Sequence, residues 1–256
     1  MHRAYTKIIR YGNFIELYEY EKAPEIMVRR SGRTREVDVD NKNLGTDGED
    51  SLSEGQLGRR QDNARRVALV FRRLVSCNLS GPCPPLFITF TYKEEVTDIT
   101  IGYQDYRSFM QALRYKYGET FKYICVPEFQ KSGRVHFHTL FWGLPSELFI
   151  QERETRTIAM IWGKGFIDMK ETDGNDKLSY YLAKYMAKAF KDSRLKNQKA
   201  YVASKNILRP IIDSGFFPAW PLLDDYLVDE NNPEFDRSYD TKWLGNCRHR
   251  LFITAQ

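Results

Sequence analysis

The stretch that most constrains the fold is Arg134-Val135-His136-Phe137-His138-Thr139-Leu140-Phe141-Trp142. With side chains alternating across a strand, His136, His138, Leu140 and Trp142 share one face, and Val135, Phe137, Thr139 and Phe141 take the other. A strand apolar on both faces has to be buried on both. Two of the chain's four histidines lie side by side within it. Paired imidazoles in such a strand point either to a divalent metal or to a hydrogen-bonded polar pair.

The surrounding pattern supplies the rest of a sheet. Leu86–Tyr92 (LFITFTY) alternates, with Thr89 and Thr91 on one face and Ile88 and Phe90 on the other. Residues 103–116 form an amphipathic helix buried through Tyr106, Phe109, Met110 and Leu113. Residues 121–129 form a strand, and the turn Gln130–Gly133 leads antiparallel into the histidine strand. A helix over 147–162, a strand at Gly165–Glu171 and a helix from Asp176 to Phe190 follow. This βαββαβα order predicts an α+β chain: a ferredoxin-like, RRM-like antiparallel sheet with helices packed on one side.

Around that core the chain divides into three parts. Residues 1–58 hold a hairpin over 7–20, turning at Gly12-Asn13, and a polar, Gly- and Ser-rich segment over 29–58 that reads as a linker. Residues 59–210 begin with an arginine-rich helix over 59–76 and contain the sheet. Residues 211–256 read as an acidic, loop-rich extension. Net charge is only +5, because a basic block over 176–209 with a balance of +7 is followed by 210–240 at −7. The basic block permits contact with nucleic acid through the helix at 176–190. No phosphate-binding GxxxxGK[ST] loop appears, which argues against an ATP motor in the sequence. A polar amino terminus and the lack of a membrane-length apolar run point to a cytosolic protein. Cys77, Cys83 and Cys247 with His249 lack regular zinc spacing, and reduced thiols are the simpler reading.

Glu128 shares a face with Ile124 and Val126 on the strand preceding the turn, so it can converge on His136 and His138. Two imidazoles and a carboxylate suit Mg²⁺ or Mn²⁺, and also Zn²⁺ or Fe²⁺; alone, Glu128 reads as an exposed hairpin residue. On the helix KLSYYLAKYMAK, Leu178, Leu182, Met186 and Ala189 make the buried stripe. Tyr185 falls inside it, Tyr181 at its border beside Lys184 and Lys188, and Tyr180 nearly opposite, facing solvent or a partner. A phenol needs help to act as a nucleophile, and neighbouring lysines supply it. The bland alternative is an amphipathic helix whose tyrosines pack on a sheet.

Phe87–Tyr92 (FITFTY), His136-Phe137-His138 and Tyr181–Lys188 (YLAKYMAK), in this order, resemble the three motifs of the HUH endonucleases. The resemblance covers about residues 86–190 and is to the rolling-circle replication initiators (Rep proteins) of bacterial plasmids and single-stranded DNA phages, in their two-tyrosine form. It implies a site-specific single-stranded DNA endonuclease and strand transferase. The expected metal ligands are His136, His138 and Glu128, with Mn²⁺ or Mg²⁺ as cofactor. Tyr181 is the expected nucleophile, Tyr185 a second one, and Lys184 or Lys188 a phosphate-assisting cation. Thr89 and Thr91, with the basic residues Lys177, Lys191 and Arg194, are expected to line the DNA. The implied partners are an origin strand, held as a stem-loop, and the host helicase and polymerase in the bacterial cytoplasm. A transposase or relaxase of the same superfamily, or a non-catalytic nucleic-acid-binding module, are the rival readings.

Overall fold

The computed structural model describes residues 5–23, 54–79, 81, 83–144, 152–195, 198–216, 228–229 and 231–254. It is α+β, with two five-stranded antiparallel sheets and four α-helices among the described residues. The chain separates into two compact units, one formed by Met1–Val39 with Leu208–Gln256 and the other by Asp40–Ile207.

The first unit joins distant parts of the sequence. Strands β1 (Tyr5–Tyr11) and β2 (Phe14–Tyr20) form the expected hairpin, and Gly12 turns it at φ +53°. Strand β8 (Ile211–Gly215) pairs with β1, and β10 (Gly245–Ile253) pairs with β2 and with β9 (Phe235–Thr241). The segment after 211, expected to be loop-rich, therefore contributes three strands. Its acids did not prevent this, because β9 is an exposed edge where Asp236 pairs with Arg248 at 2.6 Å. Ile8, Ile15, Leu17 and Phe252 form a small apolar core. Glu16 is buried but accepts hydrogen bonds from the Tyr11 and Tyr18 hydroxyls, at 2.5 and 2.6 Å, which offsets the cost of burying its charge.

The second unit has the sheet order β6-β3-β5-β4-β7, from β3 (Leu86–Phe90), β4 (Lys122–Phe129), β5 (Val135–Trp142), β6 (Ile167–Glu171) and β7 (Val202–Ala203). The first four follow the ferredoxin-like arrangement expected from the βαββαβ order. Helix α2 (Ile99–Tyr117) starts at the N-cap Asp98, whose side chain accepts from Thr100 N–H at 2.7 Å. Helix α3 (Glu152–Trp162) falls within the expected 147–162; residues 145–151 lie outside the described set. Helix α4 (Lys177–Lys191) carries the tyrosines. Helix α1 (Glu54–Ser76) begins five residues earlier than expected, because Gly55 and Gly58 obscure the boundary. The remainder of the expected linker, up to residue 53, lies outside the described residues.

Helices cover both faces of this sheet, which corrects the expectation of one covered face. Phe137 of β5 packs against Tyr103 and Tyr106 of α2, and Phe90 of β3 against Trp162 of α3. On the opposite face α4 packs against β4, and α1 packs on α4. Leu182, Met186 and Ala189 of α4 join Ile124, Val126 and Leu140 in the core. β5 explains the arrangement, since all eight of its residues are buried. A strand apolar on both sides needs two covers.

Gly165 lies where the chain enters β6. A Cβ there would stand 2.5 Å from both Lys93 N and Thr91 O, so backbone would have to move. A Cβ at Gly81 would meet nothing within 4 Å. In chemical denaturation Gly165→Ala is expected to lose about 1–3 kcal/mol by overpacking, while Gly81→Ala stays within about 0.5 kcal/mol of wild type. Equal stabilities would contradict this backbone packing.

Candidate active site

The register between β4 and β5 sets Glu128 opposite His136 and Val126 opposite His138. The register with β3 sets Thr89 opposite His138. All these side chains share the face covered by α4. Glu128 reaches diagonally to His138: Nε2–H donates to Oε2 at 2.6 Å. In the neutral tautomer that this bond selects, Nδ1 accepts from the Thr89 hydroxyl at 3.2 Å. The second oxygen of Glu128 pairs with the Lys188 ammonium from α4.

The tyrosines complete the constellation. The Tyr185 ring lies on His138, with centroids 4.1 Å apart. The Tyr181 and Tyr185 hydroxyls are 2.7 Å apart and hydrogen-bonded. Phe87 lies parallel to the His138 ring and edge-on to Tyr181, with centroids 5.9 and 5.8 Å away. Tyr181 remains 43% exposed, whereas Tyr185 is half-buried. Burial pushes the Tyr185 phenol well above its ordinary value, reinforced by its hydrogen bond with Tyr181. Of the two, Tyr181 is the more accessible phenol.

A concavity of about 490 Å³ opens beside these groups, lined by Glu128, His136, His138, Lys188 and the turn residues Gln130, Lys131 and Ser132. The structure thus gathers Thr89, Glu128, His136, His138, Tyr181, Tyr185 and Lys188. Thr91 lies further along the same floor, donating its hydroxyl to Phe166 O at 2.8 Å. Lys177, Lys184 and Lys191 are exposed on α4. Arg194 is engaged by Asp192 at 2.9 and 2.6 Å and lies over the Phe129 ring. Tyr180 faces α1, where the Arg72 guanidinium lies 4.7 Å from its ring centre. Phe87 was not singled out in the sequence, although its alternation with Thr89 and Thr91 placed it on the histidine face.

The protonation states suit a cation. The hydrogen bond from His138, followed by that from Lys188, holds the Glu128 carboxyl at about 2. Burial, with the neighbouring His138 second, lowers His136 below its ordinary value and favours the neutral imidazole that a metal requires. The positions suit it less directly. Among the described residues no three His, Cys, Asp or Glu side chains are gathered to hold a metal ion, and Glu128 is occupied by His138 and Lys188. Seating an ion on His136, His138 and Glu128 requires the carboxylate to exchange those partners. At the other candidate metal set, His249 stacks on Tyr18 with centroids 4.1 Å apart, and all four cysteines are free.

Residues 85–190 match the model of a family described as replication-associated proteins of the ORF2 type. The matched stretch starts just before β3 and ends at the penultimate residue of α4, and so contains every residue of the constellation. No curated protein and no solved structure matches the chain. No helix among the described residues is long and apolar enough to cross a membrane.

Because folding lowers the Glu128 carboxyl from 4.5 to about 2, its contribution to stability is complete above about pH 4.5 and disappears as pH falls towards 2. Denaturation midpoints of wild type and Glu128→Gln are therefore expected to differ most above that window and to converge through it. A gap that widens on acidification would refute the assignment.

Proposed function

We propose that the protein initiates rolling-circle replication by nicking and rejoining single-stranded DNA at an origin. The observation that carries this reading is the continuous contact chain Tyr181–Tyr185–His138–Glu128–Lys188, built from β4, β5 and α4 inside the segment that matches replication-associated proteins. A polar chain in so apolar a sheet, ending in an exposed phenol, is what phosphodiester transfer requires.

The Tyr181 oxygen attacks the scissile phosphorus. An O–P bond forms to the tyrosine, the P–O3′ bond breaks, and the released 3′ oxygen takes a proton to become a free 3′-hydroxyl. The product is a 5′-phosphotyrosine. The phenolic proton leaves through the hydroxyl pair to Tyr185 or to solvent. Lys188, when released by Glu128, is placed to neutralise phosphate charge. The ester energy stays in the covalent link, so the reverse attack by a 3′-hydroxyl reseals DNA without ATP. His136, His138 and Glu128 would hold Mn²⁺ or Mg²⁺. Such an ion supplies Lewis-acid neutralisation of the phosphate oxygens. Tyr185, buried against His138, serves as the second nucleophile only after Tyr181 is occupied. The substrate has to be unpaired at the site, as in an extruded stem-loop, and the 3′-hydroxyl produced is what a host polymerase extends once a helicase opens the duplex.

The test is a labelled single-stranded origin oligonucleotide incubated with Mn²⁺ and analysed for an SDS-stable adduct. Wild type is expected to form it, Tyr181→Phe to abolish it, and Tyr185→Phe to retain the first transfer. Absence of any adduct with wild type on candidate origin strands would sink the nicking reading; loss with Tyr185→Phe alone would reverse the two tyrosines. A second check needs no DNA. Manganese at about 100 times its dissociation constant is expected to stabilise wild type by about 2.7 kcal/mol, raising its melting temperature. His136→Ala should lose that rise, and an identical rise in the variant would remove His136 from the metal set.

A further inference from the structure

Strand β6 is an edge of the second sheet, and its side chains on the site's face are bare. The β3–β6 register sets Asp168 opposite Thr89 and Lys170 opposite Phe87, so both point to the histidine face. The same ladder continues beyond the strand's formal end: Thr91 N–H donates to Phe166 O at 2.9 Å and Lys93 N–H to Lys164 O at 2.8 Å. Phe166 therefore falls opposite Thr91, on the same face. Helix α4 packs against β4, at the other side of the sheet, and Phe166, Asp168 and Lys170 are all exposed. At 75% exposure, Phe166 is a large aromatic ring held on a fixed ladder position. Its stem is anchored by the Thr91 hydroxyl as well as by the ladder.

We infer that β6 is the edge along which the DNA strand is held, with Phe166 stacking one base and Lys170 binding a phosphate beside the one attacked. This rests on the proposed nicking function. The two side chains lie four residues apart, about 13 Å along the strand, a span of a few nucleotides. Lys170 lies opposite Phe87, whose ring borders Tyr181, so the phosphate it binds is next to the nucleophile. Its ammonium is also raised above its ordinary value, chiefly by Asp168 at 2.9 Å, with a smaller contribution from Tyr181. Asp168 holds Lys170 close to the sheet, and a phosphate would displace or share that contact. An aromatic face and a cation on one edge form the usual pair for unpaired nucleic acid: stacking tolerates any base, and the cation follows the backbone. Gly165 fits the same picture, because it lets the chain pass against residues 91–93 and bring Phe166 onto the floor.

The test measures binding of a fluorescein-labelled oligothymidylate to the full chain by anisotropy over a salt series, alongside adduct formation. Phe166→Ala is expected to weaken binding about tenfold. Phe166→Trp should restore it and Phe166→Leu should not, which separates stacking from apolar packing. Lys170→Gln is expected to lower the salt slope by about 1. All four variants should keep the wild-type melting temperature, since both positions are exposed. If wild type forms the adduct but Phe166→Ala and Lys170→Gln bind and react as wild type does, the β6 edge is not the DNA track while the nicking reading stands. Rescue by leucine as complete as by tryptophan would overturn the stacking role. If wild type neither binds the oligonucleotide nor forms an adduct, both readings fall together.

Discussion

The arrangement of the site depends on the antiparallel register between β4 and β5. That register is closed by the turn over 130–133, where Gln130 N–H donates to Arg134 O at 2.9 Å and Gly133 N–H to Gln130 O at 2.9 Å. Gly133 sits at φ +88°, a conformation other residues adopt only with strain. A slip of one residue in this pairing would send Glu128 to the face covered by α2 and break its contacts with His138 and Lys188 together. The buried apolar residues of β5 oppose such a slip, because each already packs under a helix. The stability of the core and the geometry of the site are thus the same constraint.

Helix α4 adds the other half. Its buried stripe of Leu182, Met186 and Ala189 fixes the helix's rotation over the sheet, and that rotation decides how the two tyrosines differ. Tyr185 is drawn against His138, while Tyr181, one turn earlier, stays at the rim with its hydroxyl on Tyr185. Two chemically identical side chains acquire different environments from a single helical turn. Lys188, one turn later, faces Glu128; Lys184 lies off that line and is exposed.

Much of this was legible in the residues because it is local. Alternation in 134–142 and 86–92 gave the strands and their faces, and the short turn at 130–133 required β4 and β5 to be neighbours. Period-3.6 patterning placed Tyr185 in the stripe and Tyr181 at its border. What escaped was long-range. Nothing near Ile211–Gly215 announces that it pairs with β1, and nothing in Gly245–Ile253 names β2 as its partner. In β9 the acids Asp236 and Asp240 dominate the composition, although Phe235, Arg237 and Tyr239 alternate with them as a strand should. The second covered face was missed for a related reason: the covering helices α1 and α4 lie on either side of the βαββαβ unit in sequence. Phe166 reads as one more aromatic until the ladder shows which way it points.

The first sheet has a consequence for the order of events as the chain is made. Strands β1 and β2 emerge first, but their hydrogen-bonding partners β8 and β10 are not synthesised until residues 211–253. A lone two-stranded hairpin is marginal in water, and its outer edges wait through the synthesis of the whole second unit, seconds to tens of seconds at ordinary translation rates. The second unit can therefore complete its own sheet while the first hairpin is still unpaired, and the sheet that closes last is the one built from the earliest and latest residues.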